Sequence, residues 1–215
     1  MRCRSRLHTA PISPCCQTQT DGVPPGRIDV VITVVGEALV DLLISPSGAV
    51  EAKLGGAPFN TALACGRLGA EVQFVGALSN DRFGGLLADR LTADRVSIDA
   101  APRVEEPTTL AAAELDASGA ASYRFYIDGT SARMLDALPE IGGVWFTGGL
   151  ALVLEPMASA VHDALVGSTR DVLMVDVNCR PLVVPDRDAY VERVTRVAAV
   201  ADIVKVSDDD LAYLS

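Results

Sequence analysis

Two rhythms of apolar residues run along the chain from Ile28 onward. Short apolar runs, many of them β-branched and bounded by Gly, Pro, Asn or Asp, alternate with longer stretches in which apolar positions recur every three or four residues. Ile28–Val35 (IDVVITVV), Glu71–Leu78 (EVQFVGAL), Val144–Thr147 (VWFT), Asp171–Val177 (DVLMVDV) and Ile203–Val206 are of the first kind. Such runs suit strands buried on both faces of a parallel sheet. The helical rhythm covers a small-residue stretch from Pro58 to Leu68, a segment opened by Asp81 and running through Leu91, then Leu154–Val166 and Asp186–Ala201. Pro58 fits a first helical turn, Gly69 a C-terminal stop, Asp81 an N-cap, and Ser207 the start of a further helix. Strands alternating with helices predict an α/β fold, a mostly parallel sheet covered on both faces.

Three segments stand outside that alternation. Ser45–Ala52 (SPSGAVEA) reads as a turn at Pro46-Ser47-Gly48 followed by a short strand. Thr108–Leu115 and Ala121–Ile127 read as two strands joined by a hairpin turn at Asp116–Gly119.

Composition narrows the classes. With 215 residues, 49% hydrophobic and 21% charged, the chain can bury a core of one domain or one and a half. No apolar run approaches the length that spans a membrane. A net charge of −10 argues against a nucleic-acid surface. It leaves a nucleotide ligand open, because phosphate sites depend on local glycines and helix ends. The five cysteines are scattered and show neither metal-site spacing nor a disulfide framework, so a reducing cytoplasm is the expected setting. Residues 1–28 differ from the rest, with four arginines, one aspartate, four prolines and no apolar rhythm. They read as a disordered extension or an upstream start, and lack the hydrophobic middle of a secretory signal.

The candidate chemistry centres on Leu54–Gly69 (LGGAPFNTALACGRLG). Gly55 and Gly56 permit a tight turn and close approach to a ligand, and Asn60 is a polar amide in the first turn of an otherwise apolar helix. Asn60 is read either as a ligand contact or as a solvated helix start. Asp41, close after the first strand, is a ligand-binding acid or an exposed loop acid, since open α/β sheets place ligands at strand ends. Arg180, in Asp176-Val177-Asn178-Cys179-Arg180-Pro181, either meets an anionic or phosphate group or pairs with Asp176. Ser207–Asp210 (SDDD) offers a magnesium contact through water at Asp210 or an ordinary helix N-terminus.

The sixteen residues Gly55–Ala70 (GGAPFNTALACGRLGA) closely resemble the N-terminal signature of the PfkB/ribokinase family of carbohydrate kinases. The resemblance covers residues 28–215. It implies a ribokinase-like three-layer α/β/α fold with a small β lid, built from segments near 44–53 and 107–128 as an antiparallel layer that can serve as a homodimer surface. In such a kinase Gly55, Gly56, Asn60 and Asp41 contact sugar hydroxyls, and Tyr126 or Phe125 stacks on the sugar ring. Arg180 touches substrate or phosphate, and Asp210 falls where a glutamate helps hold Mg2+ through water. The D-x-N-x-R-P segment is most similar to fructokinases and 2-keto-3-deoxygluconate kinases, although Ile127 stands where those relatives often carry arginine. The family's second signature, G-A-G-D, supplies the catalytic base and the anion hole for ATP, and no such motif is present in these 215 residues. The resemblance places that base beyond Ser215, so no residue of this chain is expected to serve as the base. The implied function is therefore ATP-dependent phosphorylation of a sugar hydroxyl, fructokinase-like, with this chain a truncated form lacking the ATP site and base. The alternative is a non-catalytic sugar-binding or regulatory module. A dinucleotide-binding domain is disfavoured, because no glycine fingerprint follows the first strand.

Overall fold

The structure is a computed structural model that describes residues 30–116, 121–139, 142–167 and 170–215. The expected extension at 1–28 and the hairpin turn at 117–119 lie outside them. A six-stranded sheet forms the centre, with strands in the order β12 (Ile203–Lys205), β11 (Val172–Asp176), β10 (Val144–Gly148), β1 (Ile32–Val35), β4 (Val72–Val75) and β6 (Val96–Ser97). Every pairing in it is parallel. The apolar runs of the sequence are these strands, and their alternation divides the core. Val34, Phe74 and Phe146 face α1 (Ala57–Arg67) and α2 (Arg82–Ala93), while Val35, Val75, Trp145 and Leu173 pack with α3 (Met157–Gly167) and α4 (Arg187–Val200). A last helix, α5 (Asp208–Leu214), joins the second cluster through Tyr213 and Leu214. The expected three layers are present.

From β1 the chain builds one side of the sheet, to β4 and β6, and then returns to the other side for β10, β11 and β12. The carboxyl ends of β1 and β10 thus flank the point where strand order reverses, the place where open α/β sheets bind ligands.

A second sheet runs in the order β3 (Val50–Gly55), β2 (Leu39–Ile44), β8 (Leu110–Leu115) and β9 (Ala121–Tyr126). It contains the three segments that stood outside the strand–helix alternation. Two expectations need correction. The layer is not wholly antiparallel: β2–β3 and β8–β9 are, but the central pair β2–β8 is parallel, Val40 opposite Leu110. Asp41 is neither a loop residue nor an exposed one, because Leu39–Ile44 forms a strand in the middle of this sheet. A two-stranded pair, β5 (Leu78–Ser79) with β7 (Arg103–Val104), completes the described strands.

The N-cap reading of Asp81 holds. Asp81 accepts from Gly84 N at 2.8 Å and also from Thr108 N at 2.7 Å and Thr108 Oγ1 at 2.6 Å, so one carboxylate starts α2 and anchors the approach to β8. Asp186 caps α4 through Ala189 N at 3.0 Å.

Candidate functional site

A cavity of about 690 Å3 opens between one face of the four-stranded sheet and the carboxyl ends of β1, β10 and β11. The period-two alternation of strands selects its lining. Asp41 lies opposite Lys53 and Ala111, Leu43 opposite Ala113, Ala113 opposite Tyr123 and Ala111 opposite Phe125. These side chains share a face and line the cavity. From the other wall come Glu37 after β1, Gly149 and Leu150 after β10, Asn178 and Arg180 after β11, and Gly56, Ala57 and Asn60 at the start of α1.

The two glycines that open α1 have distinct reasons to lack a side chain. Gly56 has φ +109°, a conformation open to glycine, and an added Cβ would stand 2.7 Å from the Glu37 carbonyl oxygen. Gly55 does not line the cavity; a Cβ there would fall 2.2 Å from Asp41 Oδ2. Its absence makes room for the Asp41 carboxyl. Burial pushes that carboxyl above the usual aspartate range, with the positive charge of Arg180 pulling the other way.

Sequence reasoning missed Glu37. It is 4% exposed at the end of β1, and its Oε1 accepts from Ala57 N, the first amide of α1, at 3.2 Å. Burial pushes its carboxyl up to about 7, against the pull of the backbone N–H groups of Glu37, Ala57 and Leu150 and of Arg180. The available signal was an acid placed directly after Gly36 at the end of an apolar run, four residues before Asp41. Lys53 and Tyr123 were missed too, both on strands whose register only pairing reveals.

Asn60 is brought to the cavity, at an exposed position in the first turns of α1. Arg180 is there as well, and does not pair with Asp176. Its Nη1 donates to the carbonyls of Cys179 at 2.9 Å and Asn178 at 3.3 Å, while Asp176 accepts from Lys205 Nζ at 2.9 Å. Of the two aromatic candidates, Phe125 lines the cavity and Tyr126 does not. Neighbouring residues of a strand point to opposite faces, so Tyr126 lies on the outer side of β9, half exposed.

Asp210 stands at a helix start, one of the two readings the sequence offers for it. Its Oδ2 accepts from Ser207 N at 3.0 Å, Ser207 Oγ accepts from Asp210 N at 3.1 Å, and Asp210 Oδ1 accepts from Cys179 N at 2.7 Å. The first two bonds form a capping box at the start of α5. The third ties that helix to the loop that carries Asn178 and Arg180. Burial raises the Asp210 pKa, but these bonds from Ser207 and Cys179 outweigh it and hold the carboxyl below the usual range. Ser215 follows α5, where its N donates to the Leu211 carbonyl at 3.0 Å. Its side chain is exposed, donates to the Ala212 carbonyl at 3.3 Å, and does not line the cavity. Among the described residues no group of three His, Cys, Asp or Glu side chains is placed to share a metal ion.

Two carboxyls, two amides and two cations around an aromatic wall have the chemistry to receive a small ligand rich in hydroxyl groups. Carboxylates accept paired hydroxyl bonds, amides both give and accept, and an aromatic ring covers the apolar face of a sugar.

The chain is 34% identical over 194 residues to a fructokinase of Rhizobium leguminosarum bv. trifolii, covering 85% of this chain and 59% of that protein. It is 32% identical over 202 residues to probable fructokinase-4 of Arabidopsis thaliana, covering 87% and 59%. This chain thus spans about three-fifths of the length of these relatives. Among solved structures, fructokinase with bound ATP from Xylella fastidiosa superposes with a TM-score of 0.76 at 28% identity, covering 86% of this chain and 63% of that one. Fructokinase from Vibrio cholerae O395 in apo form gives 0.77 at 25% identity, covering 87% and 67%. The sequence pattern of the pfkB family carbohydrate kinases matches residues 30–215, and with it the chain belongs to that family.

Proposed function

We propose that residues 30–215 form the sugar-binding part of an ATP-dependent carbohydrate kinase, with fructose the first candidate substrate. One observation carries the reading: Asp41, Asn60, Phe125 and Arg180 converge on a single cavity at the strand-order reversal. The relatives that match the chain are named fructokinases, and one solved relative holds ATP. The four-stranded sheet acts as a lid over the sugar. Ile127, where an arginine would serve an anionic sugar acid, packs instead against the core, which favours a neutral sugar.

When bound, ATP supplies the phosphoryl group and Mg2+ offsets its charge. The described residues do not fit either group. The glycine pairs that might cradle phosphate are already closed against protein backbone, Gly56 against the Glu37 carbonyl and Gly148 against the Asp176 carbonyl. Asp210 is committed to backbone donors. No step of phosphoryl transfer is therefore assigned to these side chains. Their work is to bind the sugar, orient its hydroxyls and shield it from water.

The outer face of the lid exposes Val50 and Tyr126, and we assign it to contact with a second copy of the chain, to be checked by sedimentation.

Calorimetry with D-fructose tests the reading. The 215-residue chain should bind it, and Asp41→Ala should weaken binding by about 1.5–3 kcal/mol through loss of a charged hydrogen-bond partner. The chain with ATP, Mg2+ and fructose should show no turnover. Equal affinity in Asp41→Ala would refute the site, and turnover would reveal a phosphate site among these residues.

A further inference from the structure

Glu37 is the one buried acid among the described residues of the cavity wall, and one of its oxygens is unused. Oε1 receives the Ala57 amide, whereas Oε2 is enclosed and has no hydrogen-bond partner. The carboxyl also faces the Leu150 amide and abuts Gly149, whose φ is +60°. A Cβ added at Gly149 would lie 3.3 Å from Oε1, 3.7 Å from Oε2 and 3.6 Å from Asn178 Nδ2. A single side chain thus meets the start of α1 and the turn after β10, and feels the charge of Arg180 in the loop after β11. Each of those segments contributes to the cavity: Gly56 and Asn60, Gly149 and Leu150, Asn178 and Arg180.

A buried carboxylate oxygen without a donor is costly, and a proton on it removes the cost by turning the oxygen into a donor. The charges that face Glu37 do not substitute for that proton. Arg180 acts on it from the loop after β11 but gives its Nη1 hydrogens to the carbonyls of Cys179 and Asn178. Asp41 on β2 and Lys53 on β3 line the opposite wall of the cavity. Asn60, on α1, and the Gly149–Leu150 turn bring no charge. A ligand that displaces water from the cavity lowers the local dielectric and makes an ionised Glu37 still less favourable.

We propose that Glu37 is the positioning residue of this cavity, fastening α1 and the turn after β10 to the end of β1, and that the ligand is a neutral polyol bound to the form in which Glu37 carries a proton. The inference rests on the sugar-binding reading for its ligand. It names a second acid, besides Asp41, whose protonation state is linked to sugar binding. Burial that places its titration at about 7 puts the effect within reach of an ordinary buffer range.

The test uses the 215-residue chain and D-fructose as probe, by calorimetry from pH 6 to 8.5, alongside the Glu37 side-chain carbon resonance of the unliganded protein, assigned by its loss in Glu37→Gln. The wild type should weaken about tenfold per pH unit above about 7. Glu37→Gln, which keeps the shape and an acceptor for Ala57 N, should bind with little pH dependence over that range. Glu37→Ala should bind at least about tenfold more weakly at every pH. A wild-type affinity that is flat or rises with pH overturns the proposal, as does Glu37→Gln binding as weakly as Glu37→Ala. If no variant binds fructose, the sugar reading fails separately. The resonance then decides: titration near 7 retains the protonated positioning residue, and titration in the ordinary carboxylate range removes it.

Discussion

Replacing Asp210 by alanine separates a metal-linked acid from a structural tie, and the structure gives the size of the effect. The change deletes the acceptor for Cys179 N, a buried bond of 2.7 Å. A hydrogen bond to a charged group contributes about 1.5–3 kcal/mol, and the donor left behind is enclosed. It also removes the reciprocal half of the capping box, the bond from Ser207 N, a loss of about 1 kcal/mol. Together the cost is about 3 kcal/mol, a large fraction of the 5–15 kcal/mol typical of a domain, or about 6–12 °C in melting temperature for a chain of this size. Asp210→Asn retains one acceptor oxygen and should fall between alanine and wild type. Because the folded state holds this carboxyl below its ordinary range, its contribution is complete above the unfolded pKa and disappears as pH falls through the folded one. Urea melts at pH 7 and near pH 3 measure both effects: the gap between wild type and Asp210→Asn should narrow on acidification. Added Mg2+ should leave the wild-type melt unmoved. An Asp210→Ala variant within about 0.5 kcal/mol of wild type, or a Mg2+ stabilisation that this variant abolishes, would refute the reasoning.

Three further outcomes follow from the same structure. Gly56→Ala should cost about 2 kcal/mol or more in a denaturant melt, because φ +109° strains an alanine and its Cβ would meet the Glu37 carbonyl at 2.7 Å. The raised Glu37 pKa contributes stability that is complete below its unfolded value of 4.5 and is lost as pH rises through about 7. Thermal melts should therefore show wild type losing about 3 kcal/mol relative to Glu37→Gln between pH 5 and 8. Ile203 and Val204 are half-exposed on the edge strand β12, so light scattering should detect self-association that Ile203→Lys reduces.

The parts legible in the sequence are those set by local chemistry. Asp81 and Ser207 were readable as caps because a short polar side chain before an apolar rhythm has one efficient use. The parallel strands were readable because burial on both faces leaves nearly unbroken apolar runs. Strand β2 was hidden: Glu37-Ala38-Leu39-Val40-Asp41-Leu42-Leu43 has no clean alternation, and its place in a sheet depends on a partner, β8, distant in sequence. The choice between Phe125 and Tyr126 is a question of parity. Shifting a strand by one residue exchanges its faces, and register is fixed by pairing. Glu37 illustrates a further limit, since an acid beside a glycine shows its type but not that Ala57 and Leu150 will enclose it. Asp210 was visible as part of a helix start or as a metal contact, but its bond from Cys179 N was not, because that donor lies on a loop 31 residues away in sequence.

The parallel pairing of β2 with β8 has a consequence for assembly. The cavity's outer wall is spliced from two pieces of chain, with α1, β4, α2 and three short strands threaded between them. No local turn can bring those pieces together, so the loop between them must be closed at an entropic cost before the pairing stabilises anything. The wall should therefore acquire its amide protection after the helices that flank the central sheet. A newly made chain would pass through a stage with its local helices formed and no roof. During that interval nothing yet holds a ligand in place.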